Sequence, residues 1–313
     1  MADDLLTVAD CIADALDLAP IEVSDLLNKA PFFARLPVTG SSNGTTHKYT
    51  KETQAPVVGF RAANSGRDFD HSVDTLVSID LKILDFSWAV DKAVADAWRK
   101  GGAQALIARE GRRHLRQAFF EAESQYINGT GNESDGFNGF ADAEGLNDVD
   151  DAMVIDAGGS SGLSSVWLVR EGEDDVVGVM NDEDGGIELG DTIVQNFQDG
   201  SSKNYPAYYT PGCTWLGVQI GGAYSIARIA NIDNGDNTLD DDLIYKALEL
   251  FPSGQQPSVI LMSRRSRRQL RESRTATNAL GTPAPRPEDV EGIPILISES
   301  ISNAEDDIGS SGA

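Results

Sequence analysis

Three groups of residues have the types and spacing of chemistry. Gly158-Gly159-Ser160-Ser161-Gly162 matches the Gly-x-Ser-x-Gly pattern that sets a serine nucleophile on a strand-to-helix turn. In that arrangement the histidine base follows the serine in the chain. Here His47, His71 and His114 all precede it, so the segment reads as a Gly/Ser turn and no residue is assigned as catalytic. The second group, Asp233, Asp236, Asp240, Asp241 and Asp242, has the acid density of a calcium loop but not its spacing: Gly235 and Thr238 stand where a ligand and the turn glycine belong. It and the Asp182-Glu183-Asp184 run can hold cations loosely and encode no metal site. Cys11 and Cys213 are too few and too far apart for a disulfide framework or a zinc cluster. No phosphate-binding loop or dinucleotide fingerprint occurs, so no cofactor is expected. The sequons at Asn43, Asn128 and Asn132 are what Asn/Gly/Ser turns generate, and no glycan is assigned.

The third group is basic. Arg99, Lys100, Arg109, Arg112, Arg113 and Arg116 form one cluster, and Arg264, Arg265, Arg267, Arg268, Arg271 and Arg274 another. They stand in a chain of 313 residues with 33 Asp and 17 Glu against 17 Arg and 8 Lys, a net charge of -25. Such a chain is not a general DNA-coating protein. The nearest complementary surface for its arginines is another copy of itself, where bidentate pairing to carboxylates is available. Arg109, Arg112, Arg113, Arg116, Arg264, Arg267, Arg268 and Arg271, with Lys48, Lys51, Arg61 and Arg67, are therefore the expected contacts between copies. DNA contact is the rival use. The Asp-rich, Lys-poor balance resembles proteins of high-salt cytoplasm, where screening offsets self-repulsion; an ordinary acidic solubility surface is the alternative.

The element that positions the first arginine cluster is a long helix from Ala103 to Asn128. Leu115, Phe119, Ala122 and Tyr126 recur at helical spacing on one face, with the arginines opposite. Asn128-Gly129 supplies a C-cap, and the following Gly-rich run to Phe140 does not resume a helix. Upstream, residues 1–30 carry two short amphipathic helices punctuated by Pro20 and Pro31, with Leu5, Leu6, Val8, Ile12 and Leu16, then Val23, Leu26 and Leu27, on their apolar faces. Each is too short to stand alone and must dock on this chain or a neighbour. Residues 30–66 read as extended chain, strand and loop. His47–Thr53 and Ser72–Phe86 alternate as strands, the second with Val73, Thr75, Val77, Ile79, Leu81 and Ile83 on one face, and the polar residues between them imply a projecting two-stranded loop that needs a partner surface. Ser87–Lys100 reads as a helix ended by Gly101-Gly102.

After the exit turn, residues 133–199 carry 18 acids and the single base Arg170, with short apolar runs that predict a β-rich, solvent-facing section. Tyr205, Tyr208, Tyr209, Trp215 and Tyr224 follow in a region read as a sheet packed on a helix. The last third predicts a helix with a capping box from Thr238 to Asp241, a strand SVILM, a helix Arg264–Arg274 capped by Ser263, and a strand IPILISES, in α/β packing, with a frayed tail AEDDIGSSGA. Apolar runs such as Val259–Met262 fall far below the ~18 residues of a membrane span. The N-terminus carries acids where a secretory signal carries bases, so the protein is expected to stay where it is made.

The order of these segments resembles a known family. An acidic helix pair, LLNKAPFFARLPVTG, GTTHKYTKETQAPVVGFRAANSG, an alternating strand, a long helix ending Asn-Gly-Thr-Gly and Gly-Phe-Asn-Gly-Phe, then SSVWLVREGEDDVVGV, YSIARIANID and VEGIPILISES are together similar to tailed-bacteriophage major capsid proteins of the Hong Kong 97 fold, best to a podovirus-type subgroup. The resemblance covers nearly the whole chain. It implies an α+β fold with an N-terminal arm (1–44), an extended β-loop (45–86), peripheral-domain helices including the spine helix (87–140), a β-rich section shared between peripheral and axial domains (141–229), and an α/β axial domain with a C-terminal strand (230–313). It further implies a non-enzymatic protein that self-assembles, as hexamers and pentamers, into an icosahedral shell around double-stranded DNA. Its implied partners are further copies, a portal and scaffolding or decoration proteins, with no sequence-specific DNA binding and no membrane. Assembly in the host cytoplasm and a place in the virion are what the resemblance implies. Some relatives crosslink the loop through lysine and asparagine. Here Lys48 and Lys51 lie off the loop tip and no catalytic glutamate is marked, so noncovalent shells are expected. An encapsulin-type compartment shares the fold as an alternative, and a halophilic serine hydrolase using Ser160 is a remote one.

Overall fold

The computed structural model describes residues 7–15, 25–54, 56–68, 70–181, 186–276 and 282–309. The chain starts with α1 (Val8–Ala15) and α2 (Pro31–Arg35), followed by β1 (Val38–Gly40). Val8 and Ile12 are fully buried and Leu26 and Leu27 nearly so, in the same cluster as the spine. The described part of the arm therefore docks on its own chain, and the Val8 N–H donates to Leu36 O at 3.1 Å. Leu5, Leu6, Leu16 and Val23 lie outside the described residues. The helix α2 replaces the extended chain read from the sequence. Pro31 at its first position has its φ already set for a helix, and the Phe32 and Phe33 N–H groups find an acceptor on the spine helix.

The projecting loop is a ribbon of β2 (Thr46–Gln54) and antiparallel β3 (Val73–Asp80), paired from Thr46↔Asp80 to Gln54↔Val73. The long alternating run divides at buried Leu81, whose N–H donates to Thr45 O, and continues as β4 (Lys82–Asp85) in a different sheet. Ile83 thus faces outward, against the single-face expectation. The expected Ser87–Lys100 helix is instead β5 (Trp88–Asp91) and a short α3 (Lys92–Asp96), with the Asp91 carboxylate capping α3 through the Ala93 and Val94 N–H groups. A strand partner far along the chain overrides the local helical spacing.

The spine helix α4 (Gly102–Asn128) buries Leu115, Phe119, Ala122 and Tyr126, as its periodicity requires. Gly111, a poor helix residue, admits the Trp88 ring: a Cβ there would lie 2.7 Å from the indole. Gly129 ends the helix at φ 55, and Asp142 ties the exit turn by accepting from the Thr130 N–H at 2.7 Å. Then come β6 (Val154–Asp156), β7 (Ser164–Val169), β8 (Val176–Met180), β9 (Glu188–Leu189), β10 (Ile193–Gln198), β11 (Asn204–Thr210), β12 (Gly212–Ile220) and β13 (Ile226–Ile232). The last third is α5 (Asp241–Glu249), β14 (Val259–Met262), α6 (Arg264–Ala276), β15 (Asp289–Val290) and β16 (Ile293–Ile297).

One sheet runs β1-β8-β12-β4 with β9 also on β12, a second β10-β11-β5, and a third β15-β16-β14-β7-β13-β6. The spine packs on the first sheet, where the Tyr126 hydroxyl donates to Gly217 O at 3.0 Å and its pKa is pushed far up by burial. The third sheet carries α5 and α6 and forms one hydrophobic cluster with the spine and arm. Strands β7 and β8 are buried along their whole length, so this stretch of the acid-rich section is core and not solvent-facing. Tyr208 and Lys92 bring the second sheet onto α3, while Tyr224 is exposed. The cap of α5 is Asp240, accepting from the Leu243 N–H at 2.9 Å, in place of Thr238. Ser263 caps α6 as expected, through the Ser266 N–H at 3.2 Å. The tail is docked through Ile308, not frayed: the Glu305 N–H donates to Leu163 O at 3.0 Å and the Ile308 N–H to Asn231 Oδ1 at 3.3 Å.

Candidate interaction surfaces

The ribbon is held at its base and exposed at its end. His47 Nε2 meets Gln219 Oε1 at 2.8 Å, and the Tyr49 hydroxyl, its pKa raised by burial, donates to Ile220 O at 3.3 Å. Cover falls away outward: Leu81 is 3% exposed, Val77 and Ile79 are half-buried, and Val73 is 48% exposed. At the end, Val57 and Val58 are 64% and 83% exposed and Phe60 fully so. Arg61 donates to Ser65 O at 3.0 Å, and Arg67 to Gly59 O at 3.2 Å and to Val57 O, so both arginines brace the tip on backbone carbonyls and pair with no described carboxylate. Lys48 and Lys51 lie along β2, before the tip. The sequence reading singled out these cations and passed over the apolar tip, for which Val57-Val58-Gly59-Phe60 amid polar residues was the available signal.

The two arginine sets sit on different helices, and no described ion pair joins them. On α4, Arg109 and Arg113 share Glu110 at 3.1 and 3.0 Å, Arg109 also lies over the Trp98 ring at 4.6 Å, and Arg116 reaches Asp25 at 2.7 Å; Arg112 is exposed on the same helix. On α6, Arg264 pairs with Glu299 at 2.6 Å and Arg268 with Glu272 at 3.2 Å, Arg271 donates to Ala284 O at 2.9 Å, and Arg265 donates to Gly162 O at 2.7 Å. The Arg267 pKa is lowered by burial and by the neighbouring charges of Arg286 and Arg264. Exposed pairs of this kind are worth ~0–1 kcal/mol, so they leave the arginines able to exchange partners at an interface.

Three charged groups that sequence reasoning missed, Glu123 and Arg228 buried and Arg35 part-exposed, fix these surfaces to one frame. Glu123 of the spine is 0% exposed. Its Oε2 accepts the Phe32 and Phe33 N–H groups at 2.8 and 3.0 Å, and its Oε1 accepts the Ser298 and Ser300 hydroxyls at 2.5 and 3.4 Å. Burial pushes its carboxyl up, against those hydrogen bonds. Arg228 lies over Trp167 at 4.7 Å, donates to Ser165 Oγ and Leu146 O, and pairs with Glu305 at 3.2 Å. Arg35 forks onto Glu171 at 2.8 and 2.5 Å. No pattern of spacing marks any of the three, because the partners lie far apart in the chain.

The candidate catalytic and metal residues have structural duties or none. Ser160 is exposed in a turn between Gly158 at φ 84 and Gly162 at φ 60. Asp233, its carboxyl held low by the Gly235 and Asn237 N–H groups, shapes its own loop, Asp240 caps α5, and Asp241 forks onto Arg274 at 2.8 and 2.7 Å. Among the described residues no group of three or more His, Cys, Asp or Glu is arranged to hold a metal ion; Asp182, Glu183 and Asp184 lie outside them. Among those residues, no helix is long and apolar enough to cross a membrane.

Comparison with known proteins places this geometry. The family model for major capsid protein GP7 matches residues 17–309. Among solved structures, the chain is similar to one of bacteriophage Epsilon15 at 20% identity, covering 86% of each chain with a TM-score of 0.64. It is also similar to the capsid of bacteriophage JBD30 decorated with minor capsid protein trimers, at 13% identity over 84% of this chain and 88% of that one, TM-score 0.51. These likenesses show the α+β, Hong Kong 97-type fold. An encapsulin complex of Synechococcus elongatus matches at 11% identity over 64% of this chain and 86% of that one with a TM-score of 0.43, which carries no argument. No curated protein matches the chain.

Proposed function

The chain belongs to the major capsid protein GP7 family, a tailed-phage shell subunit placed in the capsid of the virion, and on that premise we propose how it builds the shell. Copies close an icosahedral lattice of hexamers and pentamers around double-stranded DNA without any catalytic step, each copy extending residues 45–86 over a neighbour. The observation that carries this reading is the ribbon, tied to its own body near the base by His47 and Tyr49 and ending in bare Val57, Val58 and Phe60. A two-stranded ribbon is marginal alone, so its outer half is completed by a neighbouring copy. The arm contributes less reach than the resemblance implies, because its described helices bury their apolar faces on their own chain. Many modest contacts, each repeated around closed symmetry, then sum to a stable particle.

Arg109, Arg112, Arg113, Arg116, Arg264, Arg267, Arg268 and Arg271, with Lys48, Lys51, Arg61 and Arg67, are the cations we assign to contacts between copies. Their support is the acid excess of the chain as a whole, with its net charge of -25. The same excess, in Asp over Glu and Arg over Lys, suits a virus of a halophilic host, and the segment order favours the podovirus-type subgroup. Portal, scaffolding and decoration proteins complete the expected partners. Electron microscopy of the purified chain tests the reading: uniform polyhedra, nuclease-resistant DNA in filled ones, are expected. Particles carrying protein cargo and no nucleic acid would make it a compartment shell, and small globules under all salt conditions would overturn it.

A further inference from the structure

A pocket of about 320 Å³ opens beside the spine where β4 leaves the ribbon. Its apolar lining comes from Ile83, Leu84, Phe137 and Leu216, and Ile83 is 58% exposed in the isolated chain. Carboxylates rim it: Asp85, Glu121, Glu133 and Asp135, with Lys82 as the one cation among its lining residues. None of these carboxylates has a described ion pair; Glu121 accepts from Asn132 at 2.6 Å and Asp85 from the Ser87 N–H at 2.8 Å.

The ribbon tip has the opposite character. Residues 56–67 carry Arg61 and Arg67 and no acid, in a chain of net charge -25, and they present Phe60 and Val58 bare. An apolar knob flanked by arginines thus matches an apolar hollow rimmed by carboxylates. The two cannot meet within one chain. The pocket begins at Lys82, next to the ribbon base, whereas Phe60 lies beyond the far pair Gln54↔Val73. Eight paired residues at ~3.3 Å each separate them by roughly 26 Å, and closing that distance would unzip the ribbon.

From this complementarity we infer that the pocket beside Ile83 receives the Val58–Phe60 tip of a second copy, with Arg61 and Arg67 on the rim carboxylates. The inference rests on the shell reading and names the receptor that the ribbon needs. Burying the aromatic ring anchors the contact and the charges set its register.

The test uses the full chain in a Cys11→Ser, Cys213→Ser background carrying Phe60→Cys and Ile83→Cys. Assembled particles are treated with a short bismaleimide and run denatured. A ladder of linked subunits is expected from the double variant, and only monomer from either single cysteine variant or from unassembled subunits. A second pair of variants covers the case in which these cysteines disturb folding. Arg61→Glu with Arg67→Glu should cut particle yield roughly tenfold or more, as like charges at a docking contact do, and Glu133→Arg with Asp135→Arg should restore it. Particles at normal yield that give no ladder, or charge reversal without rescue, overturn the inference and leave the shell reading standing. Failure of the unmodified chain to form particles is the separate failure of that reading.

Discussion

Replacing Glu123 should separate the value of its hydrogen bonds from the cost of its charge. The carboxylate is fully buried and serves four donors from two distant segments. Glu123→Ala strands the Phe32 and Phe33 N–H groups in the core at ~1–3 kcal/mol each and leaves a small cavity, a loss of about 3–5 kcal/mol after relief of the desolvated carboxylate. Glu123→Gln keeps the shape. Its amide oxygen can take both N–H groups and its NH2 can donate to the serine hydroxyls, so the change should stay within about 1 kcal/mol at neutral pH. The pH dependence has a definite sign. Burial raises the Glu123 pKa in the folded protein, so the proton-linked stability is fully present below the unfolded value near ~4.3 and is lost as pH rises through the folded value. Glutamine has no such proton, and its stability relative to wild type should rise across that window. Denaturant unfolding of unassembled subunits at several pH values, always as the difference between variants, cancels the many surface carboxylates. A Glu123→Ala variant within 1 kcal/mol of wild type would refute the reasoning, as would a Gln variant as unstable as Ala.

Further outcomes follow from other contacts. Gly111→Ala should destabilise by about 1–3 kcal/mol despite its helical preference, because the new Cβ meets the Trp88 ring at 2.7 Å; a raised melting temperature would contradict this. Arg228→Ala leaves Glu305, 15% exposed, without its cation, and should cost about 3–5 kcal/mol and open the tail to protease near residue 300. If the acid excess serves high salt, the unfolding midpoint should rise steeply between low and molar salt, and a flat response would remove the halophile assignment. Boiled, denatured particles should run as a single monomer band; a covalent ladder without added reagent would show crosslinking of the loop.

What was legible in the sequence was what short-range periodicity records. The spine helix, its glycine stop and the strand–helix–strand order after Val259 each rest on spacing within one segment. The misreadings share a cause. Trp88–Asp91 is a strand because Ala207–Thr210 pairs with it, and Pro31–Arg35 is a helix whose first N–H groups meet a carboxylate 91 residues away. Strands β7 and β8 looked solvent-facing because acids crowd the turns between them, although every residue within the strands is buried. Of the interaction surfaces, the cations were visible by count, but the pocket is assembled from β4, the spine, the exit turn and β12, and no single window of sequence contains it.

The Glu123 contact also has a temporal meaning. Its donors sit 91 residues before it and 175 after it, so the carboxylate is fully served only once Ser298 and Ser300 have been made. Long loop closures of this kind are entropically costly and form late. A truncated or stalled chain lacks Ser298 and Ser300, leaves the buried carboxylate half served, and holds its first helices loosely. The subunit therefore becomes a rigid building unit only after Ser298 and Ser300 have joined the chain, a safeguard suited to a lattice in which one defective copy would sit beside many sound ones.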